Sequence, residues 1–539
     1  MHMKVLLALF TGLPFAVGLP RSELEVRAEF VKDAHPAHQP REVIGNDTFD
    51  VLQHLSGNSP YFNSPGVGLT AALPVGCSVM HATYLVRHSD IYANDYEYEH
   101  TIAPFLYKLG NFSDRHAFSD DSSLSFLTNW TSPIDDPDKE IEKVTKTGKQ
   151  DAAALGAIFA QRYNSILGFK NEDSWKFWSA SATRDQKTSK AFIQGFNASM
   201  DKATLVIVDQ GESQFANTLT PHQSCEAFDA NRGSVEKMTF INTYAPTIVA
   251  RLNGLVSSSF NWTASDVFAA QSLCGYDTVI RNMTLSGFCN LDLFSESEWL
   301  GYEYANDLMY HRSLGYGNEL APVLGMPWVS ASTRLLSGSA NTSATNSSAG
   351  DQQLFISFTH REEPPFIVTN LGLFNTTNAS MPADSINYDR AWRTSNILPF
   401  LANIGLERLQ CNATATGNSS NTDFVRVLVN AAQIPLPGCT DGPEDSCSLD
   451  SFVSFVSQRE ALYGDFVGAC GGSGNVTNAT STLGFYEGTL PANGAAVQTV
   501  PISLNKSSSV SAEESGANKW TARWLVSASI GATITAVML

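Results

Sequence analysis

Basic residues are scarce in this chain. It carries 34 Lys and Arg against 53 Asp and Glu in 539 residues, a formal net charge of −19. No run of five basic residues occurs. The chain therefore lacks the cationic stripe that a nucleic-acid backbone requires, and no nucleic-acid partner is expected. No Cys-x-x-Cys pair is present, which excludes a zinc ribbon. No G-x-S-x-G elbow occurs, which argues against a serine hydrolase of that type. "HREE" lacks the second histidine of a zinc-protease helix. The Gly-rich "CGGSG" runs into two sequons rather than a helix, so it is not a nucleotide loop. No internal repeat is visible. Self-repulsion in such an acidic chain falls as its carboxylates protonate, which suits an acidic medium.

What is present is globular. The 43% hydrophobic and 10% aromatic content suffices for a sizeable core. The length exceeds what one ordinary core serves, so a large unit with a second lobe is expected. Eight cysteines, an even number, predict four disulfides in an oxidising compartment. Spacing leaves the pairing open, although short loops favour Cys274–Cys289 and Cys439–Cys447. Fifteen Asn-x-Ser/Thr sequons mark a surface facing the cell exterior. "MHMKVLLALFTGLPFAVG" reads as a signal peptide, residues 1–18, followed by a polar leader over 19–42. At the other end a Ser-rich linker, 483–518, precedes the small residues Ser515-Gly516-Ala517-Asn518, a short spacer and an apolar run from Trp524 to Leu539. This order reads as a glycosylphosphatidylinositol (GPI) attachment signal, with 519–539 as its tail. The run is shorter than a comfortable transmembrane span. A membrane helix or a secreted tail is the alternative.

Between these ends the chain reads as α/β. "CSVMHATYLVRH" is a strand ending at His88, with His81 in the core. "TKTGKQDAAALGAIFAQRYNSIL" is a helix with Leu155, Ile158, Phe159, Tyr163 and Ile166 on one face. "WKFWSASATRDQ" is a strand with Arg184 just beyond its end, and "RDQKTSKAFIQGF" turns helical. "LFISFTHREEPPFIVTNLGLFN" is a strand ending at His360, followed by a Pro-started helix. "CSLDSFVSFVSQRE" is a helix capped by Ser448. The expected organisation is a large α/β domain, 43–204 and 336–482, with a mainly parallel sheet and helices on both faces. A smaller, mostly helical inserted lobe covers 205–335. In open α/β sheets ligands sit beyond the carboxyl ends of strands. Three cationic or imidazole signals fall at such ends: Arg87-His88, Arg184 and His360. Forked guanidinium donors beside imidazoles suit a phosphate.

"LVRHSDIYAND" resembles the Arg-His-Gly signature of the histidine acid phosphatases, the branch containing fungal acid phosphatases and phytases. "FISFTHREEPPFIVTNLGLFN" resembles that family's second signature, and "RDQKTSKAFIQGF" its third-site arginine segment. "FDVLQHLSGNSPYF" and "PLPGCTDGPEDSCSLDSF" are similar to its start and its late disulfide loop. The resemblance spans roughly residues 43 to 470. It implies an acid phosphatase hydrolysing small phosphate esters through a phosphohistidine on His88, with no metal and no cofactor. Arg87, Arg184 and His360 would hold the phosphate oxygens, and Glu362 would protonate the leaving alcohol, Glu363 being the less favoured neighbour. Disulfides would pair Cys77–Cys411, Cys225–Cys470, Cys274–Cys289 and Cys439–Cys447. Two departures stand out. The family's Gly and second Arg are here Ser89 and Ile91. Its usual His-Asp is His360-Arg361, with the acid moved to Glu362 as in multiple inositol polyphosphate phosphatases. Arg361 is expected to replace the phosphate ligand lost at Ile91; the plainer reading pairs it with Glu363 at the surface. A phytase-type inositol phosphate phosphatase, or a surface glycoprotein that binds phosphorylated ligands without turnover, are the competing functions. Sparse basic residues favour simpler monoesters over phytate. Membrane association would run through the GPI anchor, and the sequence leaves the oligomeric state open.

Overall fold

The computed structural model describes residues 49–503, apart from 168–174, 197–201, 257–259, 339–351, 376–380, 418–421, 472–482 and 487–497. The signal peptide, leader and GPI signal read from the sequence lie outside the described residues. No helix among the described residues is long and apolar enough to cross a membrane.

In chain order the main elements are β1 (Cys77–Arg87), α1 (Ala103–Asn111), α2 (Lys146–Arg162), β2 (Trp175–Ala180), α3 (Thr183–Gly195) and β3 (Lys202–Val208). Then follow α4 (Ser234–Leu255), α5 (Ala264–Ile280), α6 (Glu296–Ser313), α7 (Ala321–Ser337), β4 (Leu354–Thr359) and α8 (Glu363–Leu371). β5 (Asn403–Cys411), β6 (Asp423–Val429), β7 (Ala432–Ile434), β8 (Cys447–Ser448), α9 (Leu449–Tyr463) and β9 (Gln498–Ser503) complete the set. The nine strands form one sheet in the order β7-β6-β5-β1-β4-β2-β3-β9, with β8 on β6. Pairing is parallel among the four central strands β1, β4, β2 and β3, and antiparallel on both flanks.

Alternation along the strands sends side chains to two faces. Leu85, Trp178, Val206, Phe355 and Ile404 share one core with α7, α8 and α9. Tyr84, Val86, Phe177, Leu205 and Phe358 share another with α2 and α3. On α2, Leu155 and Phe159 are buried as its periodicity predicts, as is Tyr163 at its C-cap, whereas Ile158 is 38% exposed. Gly195 lets α2 and α3 approach closely, because a Cβ there would lie 1.8 Å from the Ala153 carbonyl oxygen. A third core is helical. It joins α4, α5 and α6 with α1 and its flanking turns, among them Ile91, Phe105, Phe118 and Leu127. The helical core thus draws on chain before residue 205, while α7 packs under the sheet through Leu324, Trp328, Val329 and Leu336.

Three further details differ from the sequence reading. The stretch read as linker contributes β9, which pairs with β3, and the buried Phe485 and Tyr486. His81 is half-buried on β1 opposite Arg408 rather than in the core. Ser448 stands at the N-cap of α9, but its hydroxyl bonds Asp441 at 2.7 Å instead of the helix amides. The four disulfides are Cys77–Cys411, Cys225–Cys470, Cys274–Cys289 and Cys439–Cys447, and no cysteine is left free.

Candidate active site

The register of two neighbouring strands builds the centre of the site. Arg87 on β1 lies opposite Thr359 on parallel β4. The next residue on each strand, His88 and His360, therefore leaves the sheet beside the other, and the His88 amide bonds the Thr359 carbonyl at 2.9 Å. β2 flanks β4 through Ser179 opposite Phe358. The chain then turns directly into α3, whose first turn carries Arg184 and Asp185. Arg184 Nη2 lies 3.2 Å from His360 Nδ1, and its Nη1 is paired with Glu142. Asp185 is fully buried, with Oδ2 2.9 Å from His360 Nε2. That contact is out of line for a hydrogen bond, since neither Asp185 oxygen nor His360 Nε2 has a hydrogen-bond partner.

His88 is 2% exposed. Its Nδ1–H donates to the Ser89 carbonyl at 2.9 Å, so the lone pair sits on Nε2. Burial, then Arg87, Arg184 and His360, hold its pKa well below the ordinary imidazole value. The turn after it is pinned from α3: Thr188 Oγ1 accepts from the Ser89 amide at 3.0 Å and lies 3.0 Å from the Ser89 hydroxyl. It is also clamped by the start of α2, where a Cβ on Gly148 would fall 2.4 Å from the Asp90 carbonyl oxygen. Arg87 Nη1 donates to the Gly57 and Leu398 carbonyls at 2.7 Å each, and the guanidinium lies 4.5 Å over the Phe400 ring. Its Nε has no partner. Burial and the nearby Arg361 push its pKa down to about 10.

Arg361 is not a surface residue paired with Glu363. Its Nε donates to Glu362 Oε1 at 3.0 Å, its Nη1 lies 3.9 Å from Glu97, and it sits over Tyr310. Ile91 is a core residue of the helical lobe, 2% exposed, and is bridged to Val144. Burial alone would raise the pKa of Glu362. Arg361, His222, His360 and Arg184 together outweigh it and hold the carboxyl well below the usual range. Arg184 and His360 thus act electrostatically on both His88 and Glu362.

Glu142, Glu97, Asp185 and His222 escaped the sequence reading. Asp185 directly follows a quoted arginine, but nothing in the order of residues marks the other three. His222 comes from the turn before Cys225, and its Nδ1 is bonded to Glu363. His222, His360 and Glu362 each offer one ligand atom within 4.8 Å of the others. The Arg184 guanidinium stands against one nitrogen of this group, His360 Nδ1. The other such group among the described residues is Cys439, Asp441 and Cys447, whose thiols form a disulfide.

The chain is similar to known proteins over most of its length. Residues 79–430 match the histidine phosphatase superfamily (branch 2). A phytase of Candida albicans is 29% identical over 457 residues, covering 81% of this chain and 90% of its own length. An acid phosphatase of Komagataella pastoris is 30% identical over 435 residues, covering 79% and 87%. The fold is shared with the phytase from D. castellii, at a TM-score of 0.70 and 23% identity over 84% of this chain and 93% of that one. A multiple inositol polyphosphate phosphatase of Bifidobacterium longum shares it at a TM-score of 0.53 and 15% identity, over 75% and 97%. From its strand-end histidines to its matched span, the chain belongs to branch 2 of the histidine phosphatase superfamily.

Proposed function

We propose that the protein is an acid phosphatase that hydrolyses phosphate monoesters through a phosphohistidine on His88. The observation carrying this reading is a buried imidazole at the end of a central strand, next to Arg87, whose Nδ1–H is committed to the Ser89 carbonyl and whose lone pair is therefore on Nε2. Such a nitrogen attacks phosphorus, and guanidiniums offset charge on the oxygens as the transition state forms. Arg87 and Arg184 each retain an unpartnered Nε for that purpose, with His360 and Arg361 as further phosphate ligands. An in-line displacement places the leaving group opposite His88, and the acid there is assigned to Glu362, which shares the influence of Arg184 and His360 with His88. The arriving phosphate adds negative charge, which raises the proton affinity of Glu362 and lets it serve as the acid. The test is hydrolysis of an aryl phosphate at pH 4 to 6 with phytate alongside. Turnover of neither ester overturns the reading.

Arg361 stands in for the arginine missing at Ile91. Its partly buried guanidinium, which acts electrostatically on Arg87, supports this role. A charge-assisted hydrogen bond contributes about 1.5 to 3 kcal/mol, so Arg361→Ala is expected to lower kcat/KM by about 10- to 150-fold. A loss under about threefold, within what an exposed ion pair contributes, removes Arg361 from the phosphate site.

The terminal segments, the sequon density and four disulfides support a secretory route ending in a GPI anchor near Ser515–Asn518. Phosphatidylinositol-specific phospholipase is expected to release the protein from cells. Peptides beyond Trp524 in the mature chain would instead favour a membrane helix.

A further inference from the structure

Glu362 poses a difficulty for the reaction just described, on which the following rests. An acid must carry a proton before the ester bond breaks, yet Glu362 is bonded to Arg361 at 3.0 Å and faces Arg184 and two histidines. The proton has to reach a carboxylate whose neighbours disfavour it. One neighbour is built to hold it. His222 offers a nitrogen within 4.8 Å of a Glu362 oxygen and of a His360 nitrogen. Its Nδ1 is bonded to Glu363, which leaves Nε2 as the nitrogen not engaged by that carboxylate. Glu363 is 3% exposed, and its second oxygen has no other partner. The pair therefore resembles a carboxylate-backed imidazole, in which the carboxylate fixes ring orientation and stabilises the imidazolium.

We propose that His222, backed by Glu363, is the proton source for Glu362 and takes the proton back in the second half-reaction. In the first half, the His222 Nε2 proton passes to the Glu362 carboxylate. Glu362 gives it to the ester oxygen as the phosphorus–oxygen bond breaks and the bond from His88 Nε2 to phosphorus forms. In the second half, a water oxygen bonds phosphorus and the nitrogen–phosphorus bond breaks. Glu362 takes the water proton and returns it to His222. The sum is ester plus water giving alcohol plus phosphate.

The groups facing His222 keep it protonated until the charge of the bound phosphate raises the proton affinity of Glu362. Glu362 and Glu363 approach from the start of α8, Arg184 from α3, His360 from the end of β4, and the Phe228 ring from the apolar side. Burial alone would make the imidazolium unfavourable, but Glu363 and then Glu362 outweigh burial and Arg184, so its pKa is raised. His222 thus keeps its proton at the acidic pH where His88 has already lost its own.

A nitrophenolate leaves without a proton and an alkoxide does not, so the nature of the ester separates proton supply from binding. His222→Gln is expected to lower kcat on glycerol 2-phosphate by about 100-fold or more, the range for general acid catalysis. The loss on p-nitrophenyl phosphate should be much smaller, with phosphohistidine still trapped from that ester. Glu363→Gln, which removes the charge that raises His222, should move the alkaline limb of the glycerol 2-phosphate profile to lower pH. Equal losses on both esters, or an alkaline limb that Glu363→Gln leaves in place, overturn the proposal. Wild-type protein inactive on both esters would instead sink the phosphatase reading itself.

Discussion

Replacing His88 by alanine is expected to abolish turnover and, with it, any acid-labile phosphoenzyme. The imidazole is 2% exposed, and its Nδ1–H is committed to the Ser89 carbonyl. One nitrogen is left for chemistry, and alanine removes it. Loss of the nucleophile in covalent catalysis costs on the order of 10⁴- to 10⁶-fold, whereas loss of one phosphate ligand costs far less. The same environment fixes a pH dependence. Only the neutral imidazole attacks. Burial and the charges of Arg87, Arg184 and His360 depress its pKa well below 6.5, so the neutral form persists well below that pH and is lost only as pH falls through the depressed value. The acid limb of kcat/KM should therefore lie well under the ordinary histidine range. A His88→Ala chain with wild-type turnover, or an acid limb at about 6.5, would remove His88 from the role of nucleophile.

The largest expected effect on stability lies far from this site. Glu407 on β5 is fully buried opposite Arg426 on β6. Its Oε2 accepts from Arg426 Nε at 2.6 Å, and its Oε1 accepts from Arg162 Nε and Nη2 at 3.0 and 2.9 Å and from the Tyr163 hydroxyl. Arg426 has no exposed side-chain surface, so Glu407→Gln would leave a buried guanidinium uncompensated. Breaking a buried pair from one side costs about 3 to 5 kcal/mol, to be read as a lower midpoint in guanidinium chloride. Burial alone would raise the Glu407 pKa, but Arg162 and Arg426 outweigh it and the carboxyl is depressed. Its contribution is thus complete above the unfolded carboxyl value, about 4.3, and fades as pH falls toward the folded one. The gap between wild type and variant should narrow on acidification. A gap under about 1 kcal/mol at neutral pH would mean that water or a neighbouring group replaces the carboxylate.

The strand ends were legible in the sequence because each carries its own local signal. An apolar run stops at Arg87-His88, another at His360, and α8 opens on Pro364-Pro365. The region between residues 91 and 134 was harder. Its apolar residues lie in short helical turns with no long period, and they become a core only when α4, α5 and α6 cover them. The stretch beyond residue 483 was read from its Ser content, yet Tyr486 packs on Trp178 and Phe355. Composition over a window does not report the burial of two aromatic side chains.

By itself the sequence determined the α/β class, the family resemblance and the strand-end histidines and arginines, because these depend on local periodicity and contiguous motifs. Only the tertiary structure decided which charges surround them. Register between β1 and β4 brings His88 beside His360 across more than 270 residues of chain. Folding of the helical lobe turns Ile91 into its core and brings Glu97 and Tyr310 to Arg361. His222 reaches Glu363 from a turn that carries no motif. The proton affinities of a buried site are set by desolvation and by charges a few ångströms away, and distances of that kind exist only once the chain has closed on itself.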